Sequence, residues 1–164
     1  MTTLSWHNAG DHHRQALSEF VCTDPPKRTY DRNRGRHHPR PWELEVQSHL
    51  RGLRTPAGPG EALALGLDEH GVAAAAHFGF DDTRSQFMIW SVARAHRCSG
   101  LGYGREALEV SLAVMKATKE TYDLDLGVFT YVDPRNKASR NMVQAVGFTY
   151  LNMYDGYEGW VRDV

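Results

Sequence analysis

Hydrophobic and polar positions follow helical spacing in the first third of this chain. Residues 3 to 8 suggest a short first strand, and the spacing from 11 to 21 predicts an amphipathic helix with Asp11 as its N-cap. A second helix is predicted over residues 42 to 50, before the proline and glycine cluster at 55 to 60. The segment between these helices has no periodicity and indicates a long surface loop.

In the rest of the chain, the pattern of apolar and polar residues mainly predicts strands. Phe87 to Val92 is a nearly unbroken apolar run, as expected for a central strand that is covered on both faces. Two helices are predicted beyond it, one ending near Lys119 and one from Pro134 to Gly147. The other predicted strands are residues 63–67, 72–80, 124–132, 148–153 and 157–161. A βαβ crossover inside a hairpin-connected sheet predicts a mixed α+β class.

Composition limits the size and the partners of the fold. With 164 residues, of which 41% are hydrophobic, the chain is expected to form one domain. A formal charge of -1 argues against a partnership with nucleic acid or a membrane. Residues 24 to 40 nevertheless carry six basic and two acidic side chains, so electrostatic steering of a substrate would begin there.

Cysteine and histidine usage indicates a protein without disulfides or metal. Two cysteines do not build a disulfide framework, and neighbouring histidines such as His12 and His13 lack the spacing of a metal site. The N-terminal residues lack a basic start, and no segment approaches the roughly 18 apolar residues of a membrane span. We therefore expect a cytoplasmic protein.

A glycine-rich turn separates the central strand from the next helix. Such a turn binds phosphates when unpaired N–H groups and the helix dipole converge on one point, although it also serves as a plain tight connection. The NAD fingerprint is excluded because Arg105 stands where its third glycine is required, and no phosphate loop ending in Gly-Lys-Ser/Thr is present. The turn consists of Arg97, Cys98, Ser99, Gly100, Leu101, Gly102, Tyr103 and Gly104.

Two stretches of sequence resemble the GNAT N-acetyltransferase superfamily. Val92, Arg97, Gly100 and Gly102 follow the register of its central motif, in which Arg/Gln-x-x-Gly-x-Gly/Ala cradles the pyrophosphate of acetyl-CoA. Residues 136–148 are similar to its closing motif, Asn-x-x-Ser through to Gly-Phe. The resemblance covers residues 61 to 154 by motif, and residues 1 to 55 only by the order of elements.

The resemblance implies a GNAT-like fold with a mostly antiparallel mixed sheet, splayed fourth and fifth strands and about four helices. Residues 1–164 would form a single acyl-CoA N-acyltransferase domain. Residues 1–60 would supply the acceptor-side helices and the basic loop, and residues 61–164 the CoA-binding core with a C-terminal hairpin. Acetyl-CoA would be the co-substrate, with its pantetheine between the splayed strands, and no metal would take part.

The resemblance also implies particular contacts. The backbone N–H of Val92 would stabilise the oxyanion, and Asn136 and Ser139 would hydrogen-bond the pantetheine or phosphate arm, although Asn136 also reads as a helix cap. The cofactor-binding residues implied in this way are Trp90, Val92, Arg97, Cys98, Ser99, Gly100, Leu101, Gly102, Tyr103, Gly104, Asn136 and Ser139. Cys98 is either a thiol whose pKa is lowered by the phosphate-binding N–H groups or a turn cysteine without a role.

Two departures from the family concern proton transfer. Val143 stands where many members have a tyrosine that protonates the departing CoA thiolate, and Gln86 stands where several have a glutamate that acts as base. Substitute bases are Asp81, Asp82, His77 and Glu158, each with an ordinary structural explanation as turn, packing or solvated residue. Tyr131 and Tyr154 are the substitute acids.

The sequence therefore predicts an N-acetyltransferase that transfers an acyl group from acetyl-CoA to a primary amine by direct attack in a ternary complex. The amine would belong to a small molecule or a peptide. The alternatives are a non-catalytic CoA-binding or regulatory domain, and an enzyme that acts on a macromolecule such as a protein amine or an aminoacyl-tRNA. Homodimers are common in the resembled family.

Overall fold

The structure, a computed structural model, describes residues 4–27 and 37–164 and contains a seven-stranded sheet. Its strand order is β1-β2-β3-β4-β5-β7-β6. Adjacent strands are antiparallel except β4 and β5, which are parallel. The strands are β1 (Ser5–Asn8), β2 (Glu61–Asp68), β3 (Gly71–Asp81), β4 (Gln86–Arg94), β5 (Val128–Val132), β6 (Thr149–Tyr154) and β7 (Tyr157–Arg162). The predicted mixed α+β class is confirmed.

Four α-helices and two short 3₁₀ turns accompany the sheet in the described residues. The prediction of Asp11 as an N-cap is wrong, because Asp11 lies inside the first 3₁₀ turn and Gly10 precedes it as the N-cap. The helices are α1 (Arg14–Ser18), α2 (Pro41–Gly52), α3 (Tyr103–Tyr122) and α4 (Lys137–Ala145), and the 3₁₀ turns are Asp11–His13 and His96–Cys98. None of these helices is long and apolar enough to cross a membrane.

The fifth strand is shorter than the sequence suggests. It begins at Val128, whereas the hydrophobic pattern predicts a start at Leu124. Asp123 takes a left-handed conformation that ends α3, with φ of 50°, and the chain needs the next residues to turn back toward the sheet. Apolar residues in this connection were therefore mistaken for strand residues.

The core lies where α3 packs on β3 and β4. Four consecutive alanines of β3, residues 73–76, have no exposed surface, so the helix approaches the sheet closely. Leu108 and Met115 of α3 are 1% and 2% exposed. Burial of side chains of this size stabilises a fold by roughly 2 kcal/mol each. This packing holds the start of α3 in a fixed position relative to the end of β4.

A β-bulge opens the sheet between β4 and β5. His77 of β3 is opposite Ser91, but the next residue, Phe78, is opposite Ile89, so Trp90 is an extra residue in β4. Bulges bend a strand and increase its twist. The parallel pairing of β4 with β5 ends at Ile89 and Thr130, directly before the bulge. The predicted splay is thus present, and the bulge is its local cause.

Candidate active site

Two neighbouring cavities occupy the opening between β4 and β5. The first, called here the central cleft, has a volume of about 390 Å³ and lies between the diverging strands and α2. The second, called the glycine groove, has a volume of about 320 Å³ and extends along β4 to the start of α3. The residues that line both cavities are Trp42, Val46, Val92, Asn136, Ser139 and Met142. The cleft and the groove therefore share a wall that contains Val92.

The glycine turn ends in a helix start without a side-chain cap. Gly100 and Gly102 have φ of +79° and +81°, a left-handed conformation that favours glycine. Gly102 is the N-cap of α3, and its carbonyl accepts the hydrogen bond of Glu106 N–H. The N–H groups of Gly104 and Arg105 precede this first helical bond and have no partner within the helix. The turn thus offers backbone donors to an anion at the positive end of a helix dipole.

The first three residues of the predicted glycine turn, Arg97 to Ser99, do not line either cavity. The Arg97 guanidinium donates to both carboxylate oxygens of Asp68, at 2.6 and 2.8 Å, and Arg97 does not line either cavity. The N–H groups of Cys98, Ser99 and Leu101 donate to the backbone carbonyls of Ala95, His96 and Cys98, respectively. Of the twelve predicted coenzyme contacts, the cavity-lining ones are Trp90, Val92, Gly100, Gly102, Gly104, Asn136 and Ser139, whereas Arg97, Cys98, Ser99, Leu101 and Tyr103 line neither cavity.

The hypothesis of an activated thiol at Cys98 is wrong. The side chain is buried at 1% exposure, and burial raises the pKa of the thiol above its ordinary value, although the nearby Arg97 opposes this. A buried neutral thiol is a poor nucleophile. Cys98 is a packing residue beneath the turn.

Asn136 caps the last helix. Its Oδ1 accepts a hydrogen bond from Ser139 N–H at 3.1 Å, and its Nδ2 donates to Ser139 Oγ at 2.8 Å. The cap interpretation is therefore confirmed. Both residues also line both cavities, so one Nδ2 hydrogen of Asn136 remains for a ligand.

The backbone of Val92 faces the opening. Ala95 N–H donates to Ala73 O at 2.7 Å, which makes these residues a hydrogen-bonded pair of the antiparallel β3–β4 ladder. Hydrogen-bonded and non-hydrogen-bonded pairs alternate along such a ladder. Val92, opposite Ala76 and three positions before Ala95, belongs to a non-hydrogen-bonded pair. Its N–H points away from β3, toward the side where β5 has separated from β4.

Two tyrosines meet in the central cleft. The rings of Tyr131 and Tyr154 stack with centroids 5.7 Å apart, and both line the cleft beside Arg84. Arg84 is held by Asp81, whose carboxylate lies 2.8 Å from its Nη1. This hydrogen bond lowers the pKa of Asp81, so Asp81 is an ionised turn residue rather than a base.

Two other candidate bases, Asp82 and Glu158, lie outside the central cleft. Asp82 lies in the exposed turn between β3 and β4 and does not line the cleft. Glu158 is buried and bound to Arg140 at 2.9 Å, also outside the cleft. Of the two residues that depart from the resembled motif pattern, Val143 contributes an apolar wall to the cleft, and Gln86 does not line it. The geometry thus favours neither Asp82 nor Glu158 as a base.

A chain of three titratable side chains leads into the cleft. His77 Nε2 lies 2.8 Å from Glu61 Oε2, and His77 Nδ1 lies 3.0 Å from His49 Nε2. The His77 ring stacks on Trp90, with ring centroids 4.6 Å apart. His77 is buried, whereas His49 lines the cleft and is exposed.

His49 and its helix face were missed by sequence reasoning. Trp42, Glu45, Val46 and His49 all line the cleft, and their spacing of three, four and seven residues places them on one face of α2. The sequence interpretation followed only the apolar residues of this helix. Glu45 and His49 recur on the same helix face as Trp42, and this repetition is the sequence signal that could have identified the face.

Two further expectations concern metal and the basic loop. The described residues contain no group of three or more histidines, cysteines, aspartates or glutamates that could hold a metal ion. Most of the predicted basic loop, residues 28–36, lies outside the described part of the chain. The described ends of this loop include Lys27 and Arg40.

Comparison with known proteins identifies the fold. No protein-family model matches the sequence, and no curated protein sequence matches it. The paia N-acetyltransferase from Thermoplasma acidophilum in complex with coenzyme A is similar in structure, with a TM-score of 0.68 and 8% identity over 99% of this chain and 100% of that chain. The ribosomal-protein-S18-alanine N-acetyltransferase from Escherichia coli has a TM-score of 0.62 and 12% identity, covering 96% and 90%.

A third structure, PH1933 from Pyrococcus horikoshii OT3, matches over a shorter region. It has a TM-score of 0.52 and 12% identity, and the match covers 61% of this chain and 63% of that chain. The structure and its neighbours establish that this chain has the GNAT N-acetyltransferase fold. At these identities the likeness shows the fold alone.

Proposed function

We propose that this protein is an N-acyltransferase that transfers an acetyl group from acetyl-CoA to a primary amine. The observation that carries the proposal is the shared wall of the two cavities. The wall contains Val92 and the start of α4, and the groove continues from it to the glycines of the turn, although α4 is separated from the turn in sequence by α3 and β5. A coenzyme with a phosphate end and a thioester end requires such a continuous path.

The glycine groove supplies what the donor requires. Backbone N–H groups of Gly100, Gly102, Gly104 and Arg105 and the dipole of α3 would bind the pyrophosphate. The pantetheine would pass Asn136 and Ser139, whose polar atoms lie at the junction of groove and cleft. A solved neighbour of this fold is a complex with coenzyme A, which supports the same ligand here.

The chemistry would take place beside Val92. The amine lone pair attacks the thioester carbonyl, and the oxyanion accepts a hydrogen bond from the Val92 N–H, the kind of interaction that matters most in acyl transfer. The C–S bond then breaks, and the thiolate takes a proton from Tyr131 or Tyr154, both of which line the cleft. The direct attack needs both substrates bound at once.

The charge of the cleft favours a cationic acceptor. Three carboxylates, those of Glu45, Asp133 and Asp155, line it, against the single guanidinium of Arg84 among the described residues. Asp133 is held ionised by Arg135, whose hydrogen bond lowers the pKa of the carboxyl. These carboxylates line the cleft and not the glycine groove, so they would attract an ammonium group to the cleft.

Calorimetry with coenzyme A and acetyl-CoA, followed by thiol release with a panel of primary amines, tests this function. We expect binding of both coenzymes and thiol release that depends on the amine. Absence of any coenzyme binding would overturn the proposal. Binding without amine-dependent release would instead support a non-catalytic CoA-binding domain.

A further inference from the structure

We propose that His49 is the general base that deprotonates the acceptor ammonium, and that His77 and Glu61 are positioning residues that fix its tautomer. The inference rests on the proposed acyl transfer, and it fills the role for which Gln86 leaves no glutamate. It is carried by the hydrogen-bonded chain from Glu61 to the cleft.

The hydrogen bonds determine where the protons lie. An ionised carboxylate only accepts hydrogen bonds, so His77 Nε2 carries a proton and donates it to Glu61. In the neutral ring His77 Nδ1 is then an acceptor, so His49 Nε2 carries the proton of that bond. The lone pair of His49 is left on Nδ1. In the triads of acyl-transfer enzymes a carboxylate orients the imidazole base directly, whereas here His77 stands between the carboxylate and the base.

The position of His49 gives the base access to the acceptor. Its ring lines the same cleft as the Val92 backbone, and it is exposed, so an amine reaches it without unfolding any element. Within the described part of the chain, no hydrogen bond occupies its Nδ1. His77, in contrast, is buried at 5% exposure, and its ring stacks on Trp90. This packing holds the hydrogen-bonded chain behind His49 in a fixed position.

The surroundings keep His49 neutral and ready to accept a proton. The His49 side chain is exposed at the cleft but partly desolvated by the residues packed around it, and this desolvation, followed by the neighbouring His77, lowers its pKa below the ordinary 6.5, whereas Glu61 and Glu45 oppose the shift. These are the titratable groups that face it from β3, β2 and its own helix. At neutral pH the ring is uncharged. After proton uptake, the two carboxylates stabilise the imidazolium.

The reaction converts one ammonium and one thioester into an amide, a thiol and one released proton. His49 Nδ1 takes one proton from the ammonium, and the freed nitrogen lone pair forms the bond to the thioester carbon. When the C–S bond breaks, its electron pair leaves on sulfur, which is protonated as the free thiol of coenzyme A. The nitrogen loses its second proton as the amide forms, and this proton restores the tyrosine that protonated the sulfur, while His49 releases its own proton to solvent.

Replacing His49 by Gln tests the base directly. For an alkylamine acceptor, we expect kcat to fall at least about 100-fold, a magnitude typical of a lost general base, with the Kd for acetyl-CoA unchanged. With methoxyamine, which is already uncharged at neutral pH, the loss should be less than about fivefold because no base is needed. His70→Gln, in the exposed β2–β3 turn, is the matched control and should retain full activity.

Equal losses with both amines would overturn the role of His49 as base, and so would unchanged turnover in His49→Gln. Either result leaves the proposed acyl transfer standing as long as the wild-type protein binds acetyl-CoA. Failure of the wild-type protein to bind the coenzyme removes the proposed function instead.

A measurement on the protein alone tests the relay without any acceptor. Nitrogen-15 NMR of the imidazoles should find His49 protonated on Nε2 and unprotonated on Nδ1. In Glu61→Gln the loss of a negative charge should lower the pKa of His49 further and shift the acid limb of kcat/KM to lower pH. The relay is contradicted if the neutral ring of His49 carries its proton on Nδ1 in the wild-type protein, or if the pKa of His49 is unchanged in Glu61→Gln.

Discussion

The proposed donor side of the site is made mainly of backbone, whereas the proposed acceptor side is made of side chains. On the donor side, the left-handed residues Gly100 and Gly102 and the N–H of Val92 present main-chain groups. On the acceptor side, His49 and Tyr154 come from elements at opposite ends of the chain and meet only in the folded protein. The two sides therefore depend on different kinds of information in the sequence.

Because one side consists of backbone groups and the other of side chains, the two sides differ in how well they tolerate amino-acid substitutions. A backbone site needs only the right φ and ψ and little bulk, so its donors survive most substitutions of neighbouring side chains. A side-chain site loses its function with a single replacement. Proteins that share this donor site can therefore differ in their acids and bases, which is consistent with Val143 and Gln86 at the two positions where the resembled family often has them.

The largest predicted effect is the loss of coenzyme binding in Gly102→Asp. Gly102 has φ of +81°, and a Cβ there would meet no atom within 4 Å, so the added carboxylate points into open space beside the proposed phosphate site. Repulsion between this carboxylate and the pyrophosphate should displace the phosphates from the turn and forfeit charge-assisted hydrogen bonds of roughly 1.5–3 kcal/mol each, so the Kd for acetyl-CoA should weaken at least about 100-fold by calorimetry.

Gly156→Asp is the matched control for this variant. Gly156 has φ of +84° and equally open surroundings, but it lies in the turn between β6 and β7, on the acceptor side. Both variants carry the same backbone strain and the same new charge. Coenzyme affinity should survive in Gly156→Asp. Equal losses in both variants would assign the effect to strain and contradict the donor site.

The same contrast determines what the sequence predicts. The glycine turn and the Asn136 cap are local patterns, and both could be located from spacing. The relay from Glu61 through His77 to His49 joins β2, β3 and α2, and no spacing encodes it. Asp11 and the start of β5 were misjudged because a capping residue type and an apolar run each also occur in turns and connections.

A tenfold effect on turnover is expected from the acceptor side. Tyr131→Phe and Tyr154→Phe each remove one hydroxyl from the stacked pair, and the variant that lacks the acid should lose about tenfold in kcat, less than a general acid often contributes because the thiolate is a good leaving group. Steady-state thiol release measures it, with KM for acetyl-CoA unchanged. If neither variant nor their combination alters kcat, the thiolate leaves without a tyrosine acid.

A smaller effect separates the two roles of Asn136. In Asn136→Ala the cap of α4 is lost, which should cost about 1 kcal/mol in the free energy of unfolding by urea denaturation. Asn136→Asp keeps a capping oxygen but lacks the Nδ2 donor, so it should retain stability and bind acetyl-CoA several-fold less tightly. Wild-type affinity in Asn136→Asp would restrict the residue to capping.

The smallest effect tests whether Arg97 acts through its side chain. Its guanidinium lowers the pKa of Asp68 to about 2 from an ordinary 3.8. A depressed pKa in the folded state means that the ion pair stabilises the fold above about pH 4 and that this contribution disappears as the pH falls toward 2. Asp68→Asn should therefore be less stable than the wild type at neutral pH, by up to about 1 kcal/mol for a partly exposed pair.

The two proteins should converge in stability below the acid transition of Asp68, as measured by thermal unfolding from pH 7 to pH 2. Coenzyme affinity sharpens the comparison further, because Asp68→Asn frees the Arg97 side chain. If main-chain donors hold the phosphates, the Kd for acetyl-CoA should change less than about twofold, since the backbone of Gly100 and Gly102 is unaltered. Markedly tighter binding in Asp68→Asn would mean that Arg97 contacts the phosphates once released, and that the donor side is not a backbone site alone.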